Sequence, residues 1–440
     1  MSLRRTRPWQ LLGVVCGLSG CVRSAVPEDP RPVVPARPPE AAIPTRPAPE
    51  WSPARGLARV VRVVVASGGA STELQGAEGL ELRMVGAALP WRVPPDQVIT
   101  VRVRDGRLRV TGAPQPWEGR AGESLEVWSG GSALLRVGNR RYRGWVRVVP
   151  TDSGVLGVNH VPIEQYLRGV VPLEIGPRQP GEQAAVEAQA IAARSFTVAR
   201  MSATNDRGWD LRGSTADQVY GGADAERVES DDGVASTTGV VLTYGGRVVE
   251  APYSAACGGE TAAADEVFRS AGAPHLQRVS DRRPSGGAWC DIAPNFTWER
   301  RIDGDALQQG LDRYLRSYVR GVTAPLPAVT DVRRVGVTPS GRAASVAIHL
   351  RDGSRPTVER NELRYVLRPP DGAILPSTYL SLAPERRRDG TIARLVITGR
   401  GNGHGVGMCQ WGAISRARAG ADATTILRTY YPGTVLQRMD

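Results

Sequence analysis

The 440-residue chain contains no lysine, so its 56 positive charges are all arginine, set against 44 acidic side chains for a formal net charge of +12. No run of five or more consecutive basic residues occurs, so the positive balance does not read as a nucleic-acid surface, and no nucleic-acid partner is expected. The forked guanidinium does suit carboxylates, which leaves an anionic ligand open. No stretch of 18 or more apolar residues is present, which excludes a polytopic membrane protein. A repeated unit is also missing. With 41% apolar and 23% charged residues, the composition is that of a globular protein with a real core, not of collagen, a coiled coil or a disordered chain. The length suggests two or three domains.

The N-terminus carries an address. Arg4, Arg5 and Arg7 precede a short apolar run from Leu11 to Leu18, the shape of a secretory signal over residues 1–20. The run ends in Leu18-Ser19-Gly20-Cys21, which resembles a bacterial lipoprotein processing site, and on that resemblance Cys21 becomes the lipid-bearing first residue. Residues 21–55 then carry ten prolines between 27 and 53 and read as an extended tether. The expectation is an exported lipoprotein facing the periplasm or cell wall and attached to the membrane by its N-terminal lipid. Val22, rather than aspartate, leans towards outer-membrane sorting in a cell with two membranes.

From residue 57 the pattern is β. Short β-branched runs such as Val60–Val65, Val98–Val103 and Trp145–Val149 alternate with turn signals such as Asp105-Gly106, so 57–150 reads as a β-rich accessory region able to pair with the remainder of the chain. Residues 151–440 read as mixed α+β, making the expected fold class α+β. A strong helix is predicted over 181–201, with Glu182 in its first turn and Ala185, Ala188, Ala192 and Phe196 at helical spacing. Further expectations are a helix around 305–319, strands near 331–337, 344–350 and 393–398, and a helix near 420–430.

Two segments carry candidate chemistry. Glu174 lies in the apolar, proline-bounded stretch Gly169–Pro177, where desolvation raises a carboxyl pKa as a general acid requires; a glutamate bonding backbone amides is the alternative. Gly399–Met408 holds five glycines around His404 and matches no phosphate loop; a tight turn with a satisfied structural histidine is its plain reading. Three cysteines, Cys257, Cys290 and Cys409, remain after export. A Cys257–Cys290 disulfide is the first expectation, although spacing does not fix connectivity. A zinc ion held by the thiols and His404 is the competing idea, but the separations match no compact metal motif, and no metal or cofactor is expected.

Glu164-Gln-Tyr-Leu-Arg-Gly-Val-Val-Pro-Leu-Glu174, followed by Glu187–Arg194, resembles the core of the stage II sporulation protein D (SpoIID/LytB) family. Asp217–Gly222, Tyr253–Thr261, Gly403–Ala413 and Tyr430-Tyr431-Pro432-Gly433 fit it in order, so the resemblance spans about 155 to 433. It implies a glycan-binding cleft and action on peptidoglycan. Enzymatic members are lytic transglycosylases that cut peptide-stripped glycan strands to anhydro-muramic ends, with the catalytic glutamate falling on Glu174. Others are described as enhancers of a cell-wall amidase, which is the alternative function and would make an amidase the partner. Gln218, Tyr220, Ser254, His404 and Gln410 are the expected substrate-binding groups, with Arg194 a candidate for the lactyl carboxylate of muramic acid. The chain departs from the family in carrying Cys409 where serine is common. It also lacks, in Tyr253–Cys257, the histidine that some relatives place near the cysteine motif as part of a zinc site; His275 lies further on.

Overall fold

The structure is a computed structural model in which residues 59–84, 90–203, 207–269 and 272–439 are described. The expected signal, Cys21 and the tether lie outside the described residues. The run Val60–Gly69 forms a strand because alternate valines, Val61 and Val63, turn into the core. It pairs antiparallel with Gly154–Pro162, placing Val61 opposite Val161, and parallel with Leu211–Arg212. Among the described residues this sheet runs in the order 211–212, 60–69, 154–162, 145–151, 125–129, 80–84 and 91–93. A second sheet runs 140–142, 135–137, 71–76, 99–104, 107–111 and 117–118. The Asp105-Gly106 signal is a two-residue hairpin turn with φ of +53° and +69°, the doubly positive backbone that matches strand twist. Leu74, Ile99 and Leu108 from the second sheet and Leu82, Val127 and Val146 from the first meet in one core, each adding roughly 1.5–3 kcal/mol by burial.

The boundary expected at residue 150 falls inside a hairpin. Trp145–Thr151 and Gly154–Pro162 pair across it, with Val146 opposite Asn159, and the core continues into the next three helices. Those are Ile163–Arg168, the short Val171–Ile175, and Gln183–Ala203 entered through a 3-10 turn at Pro180–Glu182. The long helix thus begins two residues later than the spacing predicts. Glu182 caps its approach, accepting from Gln179 N–H at 2.9 Å.

A second, smaller lobe is inserted between Thr297 and Arg400. Its strands Thr297–Asp303, Val329–Val337, Ala343–Leu350, Thr357–Glu359, Leu380–Arg386 and Ile392–Arg400 and its helix Gly304–Tyr314 enclose a separate core around Trp298, Leu307, Leu311, Val332, Ile348 and Ile397. Thr297 pairs with Arg400, so the chain leaves and re-enters the main lobe at one neck. The chain then forms a helix at Gln410–Arg418, which the glycine-rich pattern masked, and the expected helix at Ala423–Tyr430, capped by Asp422 accepting from Thr425 N–H. The fold is α+β, and no helix among the described residues is long and apolar enough to cross a membrane.

Candidate active site around Glu174

Proline at the start of Val171–Ile175 presets a helical turn, and Gly176 at φ +73° ends it after five residues. Leu173 is left 46% exposed beside Glu174, whose carboxyl is largely buried. Glu174 Oε1 accepts from Val219 N–H at 2.7 Å. Burial raises its pKa to about 7, a rise that the Val219 bond opposes only in part. Among the described residues no neighbouring carboxylate or guanidinium contributes to that shift. The carboxyl is close enough to the Tyr253 and Tyr166 hydroxyls to disfavour their ionisation, and Asp217 acts on Tyr166 in the same sense.

The expected substrate-binding residues have hydrogen-bond partners within the fold, and His404 among them is only half-buried. Gln218 is buried and fully engaged: Oε1 accepts from Thr197 at 2.8 Å and Tyr166 at 3.1 Å, while Nε2 donates to Tyr253 Oη at 3.0 Å and to the Ala193 carbonyl. It orients two tyrosines rather than meeting a ligand. Tyr220 is buried and donates to Asn159 Oδ1. Ser254 Oγ accepts from Gly405 N–H. His404 accepts from Val406 N–H at Nδ1, so its Nε2–H donates to the Tyr253 carbonyl at 2.8 Å. Desolvation lowers its pKa to about 4, and it is a neutral clamp on the strand carrying Tyr253. Gln410 Nε2 donates to the Glu174 carbonyl.

Arg194 does not face a ligand. It is fully buried, gripping Glu164 through Nε at 2.8 Å and Nη2 at 2.7 Å while donating to the Val240 and Val234 carbonyls. The structure assigns it to an internal ion pair because Glu164, also buried, needs a countercharge there. The groups near Glu174 that the sequence did not single out are Tyr166 and Tyr253; nor did it single out Trp411, on whose ring Arg178 lies at 5.2 Å. All three sit within the family motifs, and helical spacing or strand pairing alone does not say which motif residues turn towards Glu174.

The cysteines also differ from expectation. All three are free and buried, and Cys257 Sγ lies 3.6 Å from Cys290 Sγ, adjacent but unbonded. Cys409 and Asp281 complete the cluster. Asp281 was not singled out in the sequence.

A family described as Stage II sporulation protein matches residues 151–244, and a domain of unknown function matches 285–407, which covers the inserted lobe. An uncharacterized protein of Brachyspira hyodysenteriae is 31% identical over 296 residues, covering 66% of this chain and 71% of that protein. The stage II sporulation protein D of Bacillus subtilis is 29% identical over 300 residues, 64% of this chain and 76% of that protein. The amidase enhancer of Bacillus subtilis is 28% identical over 300 residues, 61% of this chain but only 40% of that longer protein. With the family match lying over the elements that carry Glu164, Glu174, Arg194 and Gln218, the chain belongs to the SpoIID family.

Proposed function

We propose that the chain is an exported, lipid-tethered lytic transglycosylase of the cell wall that cuts peptide-stripped peptidoglycan strands to anhydro-muramic ends. The observation that carries this reading is the carboxyl of Glu174, held near pKa 7 by burial, with no carboxylate among the described residues adding to that rise. Hydrolases of glycans use a pair of carboxyl groups, one of them to direct water or attack the sugar. A lyase needs one. Protonated Glu174 gives its proton to the glycosidic oxygen as the C1–O bond breaks and the departing sugar keeps the electron pair. The resulting carboxylate then takes the proton of the sugar's own 6-hydroxyl, whose oxygen closes on C1. A pKa near the working pH serves both halves, and such proton transfer is typically worth ~10²–10⁴ in rate. Residues 57–150 act in this reading as a built-in support for the cleft, and Cys21 carries the lipid.

The amidase-enhancer relative supports a second reading, a glycan-binding protein that positions an amidase without cutting. The purified protein and its Glu174→Gln variant, incubated with intact and amidase-stripped peptidoglycan, separate the two by mass spectrometry of soluble products. Anhydro-muramic ends from the wild type alone support the lyase. Reducing ends would mean hydrolysis, and absence of product with intact co-sedimentation would favour the second reading.

A further inference from the structure

We propose that Cys257, Asp281, Cys290 and Cys409 form a closed zinc site at the neck joining the two lobes. One ligand atom from each lies within 4.8 Å of all the others, and all four residues are buried. Around an ion with Zn–S bonds of about 2.3 Å, tetrahedral ligands stand ~3.8 Å apart, and slightly less where one is oxygen. Cys257 Sγ stands 3.6 Å from Cys290 Sγ and 3.3 Å from Asp281 Oδ2. These are tetrahedral edges, much longer than a sulfur–sulfur bond of about 2.05 Å.

The surroundings are arranged for anionic sulfur. Cys257 N–H donates to Cys409 Sγ at 3.1 Å, and the amides of Gly258 and Gly259, both in left-handed backbone that favours glycine, face Cys290 Sγ. Asp281 is held by Tyr430 Oη–H at 2.7 Å and Arg416 at 3.1 Å, both on Oδ1, which leaves Oδ2 to the cluster. Such outer partners orient metal ligands.

An independent observation is Arg342, from the inserted lobe. It is 2% exposed and donates Nη2 to the Cys257 and Glu260 carbonyls, yet its Nε and Nη1 have no partner and it forms no ion pair among the described residues. A buried, unpaired guanidinium is costly. With neutral thiols that charge meets only the Glu266 carboxylate, which forms no ion pair with it, and the Tyr379 ring at 5.7 Å. Three thiolates and a carboxylate carry four negative charges, matched by a divalent ion with Arg342 and Arg416. Thiolates with one carboxylate suit Zn2+ in four-coordinate geometry, each thiol releasing its proton to solvent on binding. His404 takes no part, being engaged by Tyr253 and Val406.

Cys290 lies just before the chain leaves the main lobe, Cys409 just after it returns, and Gln410 is the next residue. The ion therefore pins the segment that bonds the Glu174 carbonyl, and its role is positioning rather than catalysis.

The test is elemental analysis and thiol mapping of the full-length protein prepared without chelator, with zinc supplied. One zinc per chain is expected, with all three thiols resisting alkylation until a chelator releases the ion. Replacement by Co2+ should give thiolate charge-transfer and tetrahedral ligand-field bands. Cys409→Ser should weaken the former, and Asp281→Asn, which can keep the Tyr430 bond, should lower zinc affinity at least tenfold. A folded wild type with substoichiometric zinc, a mass lighter by two hydrogens from a Cys257–Cys290 disulfide, or zinc retained unchanged by both variants would overturn the proposal. Should Cys409→Ser fail to fold, the wild-type cobalt spectrum still decides. None of these readouts depends on glycan cleavage.

Discussion

Gln410 Nε2 donates to the Glu174 backbone carbonyl at 2.9 Å and to Gln189 Oε1 at 3.1 Å, joining residues 236 positions apart. The five-residue helix bearing Glu174 has terminal carbonyls with no partner of its own, and Gln410 answers one of them. The C-terminal segment thus fixes Glu174 by its main chain and leaves the carboxyl to Val219. Gln410→Ala strands two acceptors, one buried and one partly so, a loss of ~1–3 kcal/mol. Denaturant unfolding should show that loss, and cleavage should fall with glycan co-sedimentation nearly unchanged. Unaltered cleavage would refute the positioning role.

The raised pKa of Glu174 makes two pH predictions. In the proposed reaction the acid form starts the cleavage, so cleavage should decline as pH rises through about 7. For stability, an acid whose folded pKa lies above its unfolded value binds more protons when folded, so the native state is penalised as pH climbs from about 4.5 towards 7. The full penalty is on the order of 3 kcal/mol at 1.36 kcal/mol per unit. Glu174→Gln keeps an acceptor for Val219 N–H and escapes the penalty. Its Tm should exceed that of the wild type by more at pH 8 than at pH 4, and a difference independent of pH would contradict the buried, neutral carboxyl.

The strands and the long helix were legible because their burial is one-dimensional: Val61 and Val63 alternate, and Ala185, Ala188 and Ala192 recur at helical spacing. The desolvated setting of Glu174 was legible for a similar reason, since its neighbours Val170, Val171, Pro172 and Ile175 are apolar in sequence as well as buried. The roles of Gln218, Ser254, His404 and Arg194 were not. Each is a polar residue whose partner lies far along the chain, as Glu164 does for Arg194, and a buried pair looks like two ligand-binding groups until the pairing is known. Asp281 was hidden most completely, because only the fold brings it to three cysteines drawn from separate segments. The helix at Gln410–Arg418 was obscured by the glycines that precede it.

The Arg194–Glu164 pair predicts a purely structural phenotype. Removing one partner of a buried pair leaves the other charge uncompensated, at a cost of ~3–5 kcal/mol. Arg194→Met should therefore unfold at markedly lower urea concentration, and adding Glu164→Gln should recover part of the loss. Because Arg194 is wholly buried, folded protein at low temperature should bind stripped glycan as the wild type does. A selective loss of glycan affinity without loss of stability would restore the ligand-binding role.

Gly405 and Gly390 have nearly the same backbone, with φ of +80° and +83°, but different surroundings. A Cβ on Gly390 meets nothing within 4 Å, so Gly390→Ala bears only the strain of left-handed backbone, about 1 kcal/mol. A Cβ on Gly405 would stand 2.2 Å from Arg342 Nη2. That guanidinium has little freedom to retreat, being anchored on the Cys257 and Glu260 carbonyls. Gly405→Ala should thus cost at least twice as much as Gly390→Ala in denaturant unfolding. The excess measures how firmly the inserted lobe's arginine is seated against the neck, and equal losses for the two variants would show that Arg342 swings away freely.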